Sequence, residues 1–310
     1  PETHKIIKTA IKIANPEKYP LSVLTKEFIA LEKKRLKPAT CRRKEKHIQE
    51  FIEYSKDAEI KEITKKLCSD YAHSILEIKN PAHETLRNTI LDISTLFSWA
   101  EGRGYTDFNP FYRLKLPLGR KKVQERIPWS DEDILRFLTS DFVNKNEFIA
   151  TAIALYTGMR LDEICMLKNK DIFDDLFHIY EGKTEAARRV VPVHPVLKKI
   201  IVSNDSDNEE YILKGLVSAG YDNKRSCNFQ KRLGRTRKRL NLPKGVVFHS
   251  LRNTVITKLH NNMIALENIE KIVGHAQKSV AFGVYSGGLA VEKLREIING
   301  ISYGNTIDNL

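Results

Sequence analysis

Phe248-His249-Ser250-Leu251-Arg252 opens a stretch that runs through Val273-Gly274-His275 and closes on Phe282-Gly283-Val284-Tyr285. A histidine stands three residues before an arginine, a second histidine follows a glycine, and a tyrosine closes the stretch just after another glycine. Arginine and histidine are what a site needs to hold a phosphate and move its protons. A tyrosine hydroxyl can attack one. What the stretch means depends on what lies upstream.

Immediately upstream the chain reads as a mixed α/β half opening near residue 128. Ser130, with Asp133 three residues on, is a near match to a capping box, and Ile134, Leu135 and Leu138 form the apolar face that follows. A strongly apolar helix from about Glu147 to Tyr156 leads into Thr157-Gly158-Met159-Arg160-Leu161-Asp162-Glu163-Ile164. Gly158 ends that helix. Arg160 and Glu163 fall in the first turn of the next, three apart and on one face. From Leu176 to Val193 the period changes towards two. Phe177 and Ile179 alternate with polar neighbours, and Val190, Val191 and Val193 form a second β-rich run. Glu181-Gly182-Lys183-Thr184 is the turn between them, which puts Lys183 near the tip of a small antiparallel hairpin. Pro195–Val202 reads as a helix, residues 204–210 as an acidic surface loop, and Asn228–Leu240 as a very basic helix carrying Arg235 and Lys238. The opening stretch spans two helices and a loop. Val291–Ile298 is a last short helix before a polar tail.

The first part of the chain is helical. After a lysine-rich lead-in over residues 1–20, Leu21, Leu24, Phe28 and Leu31 recur on one helix face. A basic run ends at Pro38, and Thr40 is the expected N-cap of a second helix with Arg42, Arg43 and Lys44 in its first turns. Cations there oppose the helix dipole, a local cost that contact with a DNA backbone would explain. A third helix is expected over Thr64–Lys79. A fourth runs from about His83 to Glu101, carries Arg87, and places Leu86, Ile90, Ile93 and Phe97 on one stripe. These four make a helical bundle over residues 21–110. Residues 111–127, with Pro117, Gly119, Lys121 and Lys122, read as a basic interdomain linker. Residues 128–310 are the second domain.

Lys and Arg number 52 against 39 Asp and Glu, a formal charge of +13. The excess is spread: 23 basic against 16 acidic residues in 1–120, and 29 against 23 in 121–310. A polyanion gripped by both parts of the chain produces that pattern, since each neutralised phosphate releases counterions. Cys41, Cys68, Cys165 and Cys227 are far apart, with no metal-ligand spacing, and read as reduced, buried thiols of an intracellular protein. There is no apolar run long enough to cross a bilayer and no secretory signal. The chain begins at Pro1 rather than a methionine, consistent with a fragment of a longer protein.

The motifs Thr-Gly-Met-Arg160-Leu-Asp-Glu163-Ile, Gly-Lys183-Thr, His249-Ser-Leu-Arg252, Gly-His275 and Tyr285 resemble, in order and spacing, those of tyrosine recombinases, the phage-integrase type of site-specific recombinase. The resemblance runs residue by residue from about Ile127 to Ile298. The preceding bundle matches that family's core-binding domain in position and character. Each motif alone is weak; six elements in order across about 125 residues are strong.

The resemblance implies a mainly α fold with a small antiparallel β-sheet, in which a helical core-binding bundle precedes a mixed α/β catalytic domain. It also implies DNA cleavage and rejoining through a covalent 3′-phosphotyrosine. Arg160 and Arg252 would hold the non-bridging oxygens of the phosphorane, for which a permanently charged planar fork is suited. Tyr285 would be the nucleophile, on a segment that Gly283, Gly287 and Gly288 free to swing. A phenol with a pKa of about 10 needs help at neutral pH, and His249 would take its proton. Lys183 would protonate the leaving 5′-oxygen, with Arg188 and Arg189 as weaker substitutes. His275 would donate to a phosphate oxygen, and Glu163 would support Arg160 or a neighbouring histidine. Two departures stand out. Asn253 follows Arg252 where the family often has a second histidine, and the His275-to-Tyr285 interval is one residue longer than in many members.

Further expectations follow from the resemblance. Arg42, Arg43, Lys44, Arg87, Lys121, Lys122, Arg235 and Lys238 are the DNA-contact candidates. Double-stranded DNA is the partner, held as in a clamp. Four protomers would synapse two sites through a Holliday junction, with Val291–Ile298 docking on a neighbour and accessory bending or directionality factors as further partners. No metal and no other cofactor is implied, and the place of action is cytoplasmic, at the nucleoid. A type IB topoisomerase, or a DNA-binding architectural protein that has lost cleavage, would share much of this pattern.

Overall fold

The computed structural model describes residues 18–120, 126–180, 188–202, 210–274 and 291–309. Lys121, Lys122, Lys183, His275 and Tyr285 lie outside them, as do the lead-in up to residue 17, the expected turn at 181–184 and all but the last residue of the 204–210 loop. The chain divides into two compact units, Pro1–Val123 and Gln124–Leu310. The described residues are mainly helical, with one three-stranded antiparallel sheet.

The first unit is built from α1 (Leu21–Arg35), α2 (Pro38–Tyr54), α3 (Lys65–Lys79) and α4 (His83–Gly102). Their apolar stripes meet around Phe51, whose ring lies 5.0 Å from Tyr71, 6.0 Å from Phe97 and 5.2 Å from Phe111. Such edge-on pairs add to the area that burial removes from water. Three expectations change here. α2 starts at Pro38 with Lys37 before it, so Thr40 is not its cap. A proline at the first helical position has the right φ and no amide hydrogen to leave unpaired. Lys44, read as a DNA contact, is buried and paired with the buried Glu32 at 2.5 Å. Finally, the first ten residues of the expected linker pack on the bundle. Phe111 is in its core, Arg120 pairs with Ala82, and at Gly119 a Cβ would meet the His83 backbone at 2.9 Å.

The second unit contains α5 (Asp131–Leu138), α6 (Lys145–Thr157), α7 (Leu161–Met166), β1 (Ile172–Phe173), β2 (Leu176–Ile179) and β3 (Arg189–Pro192). These are followed by α8 (Pro195–Val202), α9 (Ser226–Arg239), α10 (Ser250–Asn261), α11 (Leu266–Val273), α12 (Val291–Asn299) and α13 (Asn305–Asp308). Sheet order is β1-β2-β3, with Phe177 opposite Ile172 and Val191.

α6 is the central strut, buried nearly all round, which is why its sequence shows apolar content and little periodicity. Ser130 caps α5 as expected, accepting from Asp133 N, but the full capping box belongs to Asn144 and Glu147 at α6. Glu147 is fully buried and also accepts from Arg232 and Thr236 of α9, fastening the basic helix to the strut.

The end of the chain differs from the expectation of a polar tail after a docking helix. Leu294, Ile297 and Ile298 of α12 are buried in this unit's own core, with Ile301, Tyr303 and Ile307 beyond them. Tyr303 donates to the Leu155 carbonyl at 2.8 Å, and Tyr156 donates to Asp308 at 2.5 Å. The apolar face expected to dock on a neighbour is thus consumed within the chain.

Candidate active site

The site is assembled where α6, α7, β3, α10 and α11 approach one another. Gly158 ends α6 in the left-handed conformation, φ +65°, and a Cβ there would lie 3.0 Å from Val273 Cγ1 and 3.5 Å from Val255 Cγ1. Only glycine supplies both that φ and that clearance. The chain then turns through Arg160, the extended residue that precedes α7. Arg160 is therefore a cap position rather than a member of the helix's first turn. Its Nη1 donates to Glu163 Oε1 at 2.7 Å, its backbone N to Glu163 Oε2 at 2.9 Å, and its Nη2 to the Gly274 carbonyl at 2.8 Å. Gly274 ends α11, again with positive φ, and immediately precedes His275 in the sequence.

Glu163 has a second cation that sequence reasoning undervalued. Arg189 opens β3, and its pairing opposite Ile179 puts it on the inward face of the sheet with Phe177 and Val191. Its Nη2 and Nη1 reach Glu163 at 3.0 and 3.2 Å, and Nε donates to the Ile272 carbonyl at 2.8 Å. With its side chain nearly buried, Arg189 braces Glu163. The signal available in the sequence was the alternation of Val191, Arg189 and, across the strand, Ile179. Burial pushes the Glu163 carboxyl up, but hydrogen bonds and charge from Arg189, then Arg160, bring it net below the usual range.

Arg252 lies in the first turn of α10, three residues after the exposed His249, and its Nη1 donates to the Gly158 carbonyl at 2.8 Å. It is 3% exposed, and among the described residues its Nη2 has no hydrogen-bond partner. Burial, then the positive charges of Arg160 and Arg189, push its pKa down to about 9, with Glu163 opposing. Arg160 and Arg189 thus share one carboxylate, Arg252 feels it at longer range, and among the described residues a buried donor of Arg252 is left over. Surplus positive charge beside an unspent planar donor suits an oxyanion.

Of the six expected catalytic residues, the structure gathers Arg160 and Arg252 and sets His249 one turn from Arg252. Lys183, His275 and Tyr285 fall outside the described residues, and Glu163 contacts both Arg160 and Arg189.

The DNA-contact candidates differ in exposure. Arg42, Arg235 and Lys238 are exposed, and Arg87 is exposed 3.7 Å from Glu84. Arg43 is half-exposed and paired with Asp92. Lys121 and Lys122 are outside the described residues. Cys41, Cys68 and Cys165 are buried free thiols, and Cys227 is half-buried. Among the described residues no helix is long and apolar enough to cross a membrane.

Residues 132–287 match the model of the phage integrase family, and residues 20–116 match the phage integrase SAM-like domain. The chain belongs to the phage integrase family. As a member it is a tyrosine-type site-specific DNA recombinase, an enzyme and not a bare scaffold. A tyrosine recombinase of Thermosipho africanus is 27% identical over 252 residues, covering 77% of this chain and 86% of that one. The integrase of Enterobacteria phage P21 is 28% identical over 172 residues, 53% of this chain and 42% of its own. Among solved structures, the Tn1549 transposon integrase in complex with a circular intermediate DNA has a TM-score of 0.69 at 19% identity, over 90% of this chain and 98% of that one. A lambda integrase dimer bound to a COC′ core site has a TM-score of 0.68 at 18% identity, over 89% and 79%. The phage integrase fold accounts for both compact units.

Proposed function

We propose that this recombinase exchanges DNA strands with Tyr285 as nucleophile and with Arg160 and Arg252 as the clamp on the scissile phosphate. The carrying observation is the Arg160–Glu163–Arg189 group beside the buried Arg252, whose Nη2 lacks a partner among the described residues. Tyr285 Oη attacks phosphorus, and the bond to the 5′-oxygen breaks. The phenolic proton passes to His249, and Lys183 supplies a proton to the departing 5′-hydroxyl. His275 donates to a non-bridging oxygen. Glu163 holds Arg160 in place, and Arg189 fixes Glu163. One phosphodiester is replaced by another, so the bond's energy is retained for rejoining and no high-energy cofactor is consumed.

Four protomers on two DNA sites would carry the two strand exchanges through a Holliday junction. In support, structures of similar fold include a lambda integrase tetramer bound to a Holliday junction. Accessory bending or directionality factors, and residence at the nucleoid, complete the proposal.

A suicide duplex nicked next to the cleavage point tests it. Wild-type protein should accumulate a covalent protein–DNA adduct, because the short fragment diffuses away before rejoining. Tyr285→Phe should bind the duplex as tightly and form none. Equal adduct yields from the two proteins would remove Tyr285 from the role.

A further inference from the structure

One charged group in the first unit is built with more care than an exposed DNA contact needs. Arg43 of α2 lies side-on to Asp92 of α4, with Nε 3.0 Å from Oδ2 and Nη2 3.3 Å from Oδ1. His47, one turn along α2, brings its Nδ1 to 2.9 Å from the same Oδ2. Asp92 is buried and His47 nearly so, whereas the Arg43 side chain is 54% exposed. The base of the group is therefore fixed and its tip faces outward.

The side-on pairing uses Nε and one hydrogen of Nη2. It leaves Nη1 and the outer hydrogen of Nη2, two parallel donors in one plane, with no partner among the described residues. Two acceptors fit such a fork: a phosphate and the O6/N7 edge of guanine. Charge decides between them. Asp92 neutralises Arg43 and would face the phosphate with a second negative charge, whereas a guanine edge is uncharged and loses nothing. Exposed Lys33, Lys34 and Lys37, around the junction of α1 and α2, supply cations better suited to the backbone.

We propose that Arg43, pinned by Asp92 and braced by His47, reads a guanine in the major groove of the bound site, making this group a determinant of sequence specificity. The inference rests on the recombinase reading of the chain. Asp92 is a positioning residue: it removes the rotamer freedom that a free arginine would lose on meeting a base.

The test is selection from a random duplex library by the full chain, run with wild type, Arg43→Lys and Asp92→Asn, beside the covalent-adduct assay on the recovered site. Arg43→Lys keeps the charge and the ion pair with Asp92 but has no fork. Guanine enrichment at one position should fall on the order of tenfold or more, the rest of the site and the salt dependence staying as they were. Asp92→Asn should relax the same position. An unchanged profile in Arg43→Lys, or a loss spread evenly over all sequences as for a phosphate contact, overturns the inference. A lowered melting temperature with an intact profile in Asp92→Asn reduces that residue to a staple between two helices. If wild type enriches no sequence and forms no adduct, the recombinase reading itself falls, an outcome distinct from the others.

Discussion

Glu163 shows how much of the site's electrostatics one side chain carries. Its two oxygens receive Arg160 and Arg189, and the third cation, Arg252, feels it at longer range. Removing one member of a buried pair strands the other, at a cost of about 3–5 kcal/mol. Glu163→Gln should therefore lower the unfolding free energy by that order and slow cleavage more than it weakens DNA binding. Denaturant titrations and single-turnover cleavage check the two effects. The pH dependence has a definite sign. Folded Glu163 has its carboxyl below the ordinary 4.5, so at mildly acid pH the unfolded chain binds the extra proton. The carboxylate's contribution is complete above about pH 4.5 and is lost as pH falls through the folded value. Wild type should lose stability over that acid window, and Glu163→Gln should show a shallower decline. Parallel pH profiles would show that the carboxylate is not the group responsible.

At the level of elements, the site depends on helix ends more than on helices. Arg252 hangs from the Gly158 carbonyl at the end of α6, and Arg160 hangs from the Gly274 carbonyl at the end of α11. Gly158→Ala adds a Cβ at φ +65°, 3.0 Å from Val273, the residue before Gly274. The strained backbone alone costs about 1–2 kcal/mol, and the displaced valine moves the end of α11. Melting temperature and cleavage rate should both fall. Gly234→Ala, in the middle of α9 with nothing within 4 Å of the new methyl, should instead gain about 1 kcal/mol of helix propensity.

The same contrast explains what could be read ahead of the structure. α1 and α4 were legible because a half-buried helix prints its period on the sequence, and Gly158 and Ser130 because caps have a chemical signature. The two-residue strand β1 has no period to show. Arg189 reads with Arg188 as a substitute acid, because its burial is decided by the register opposite Ile179. Thr40 was misread as a cap because Pro38, two residues earlier, already satisfies the first turn.

Over the whole molecule, a net charge of +13 does not tell which cations meet DNA, and burial separates them. Lys44 and Arg235 look equivalent as letters in basic runs. Lys44, however, is closed into the first unit against Glu32, while Arg235 and Lys238 stand exposed on α9. A buried ion pair releases no DNA counterions, because its charge is already compensated inside the protein. Lys44→Ala should destabilise the chain by about 3 kcal/mol, since Glu32 is left buried with only Arg35 beside it. It should not alter the slope of log affinity against log salt concentration. Lys238→Ala should do the reverse, leaving the unfolding midpoint within error and reducing the slope by about 1, the signature of one phosphate contact. Binding isotherms at four or five salt concentrations, paired with urea unfolding of the same preparations, separate the two residues. A reduced slope in Lys44→Ala would mean that α2 opens to expose it on DNA, and an unchanged slope in Lys238→Ala would take α9 off the DNA-facing surface.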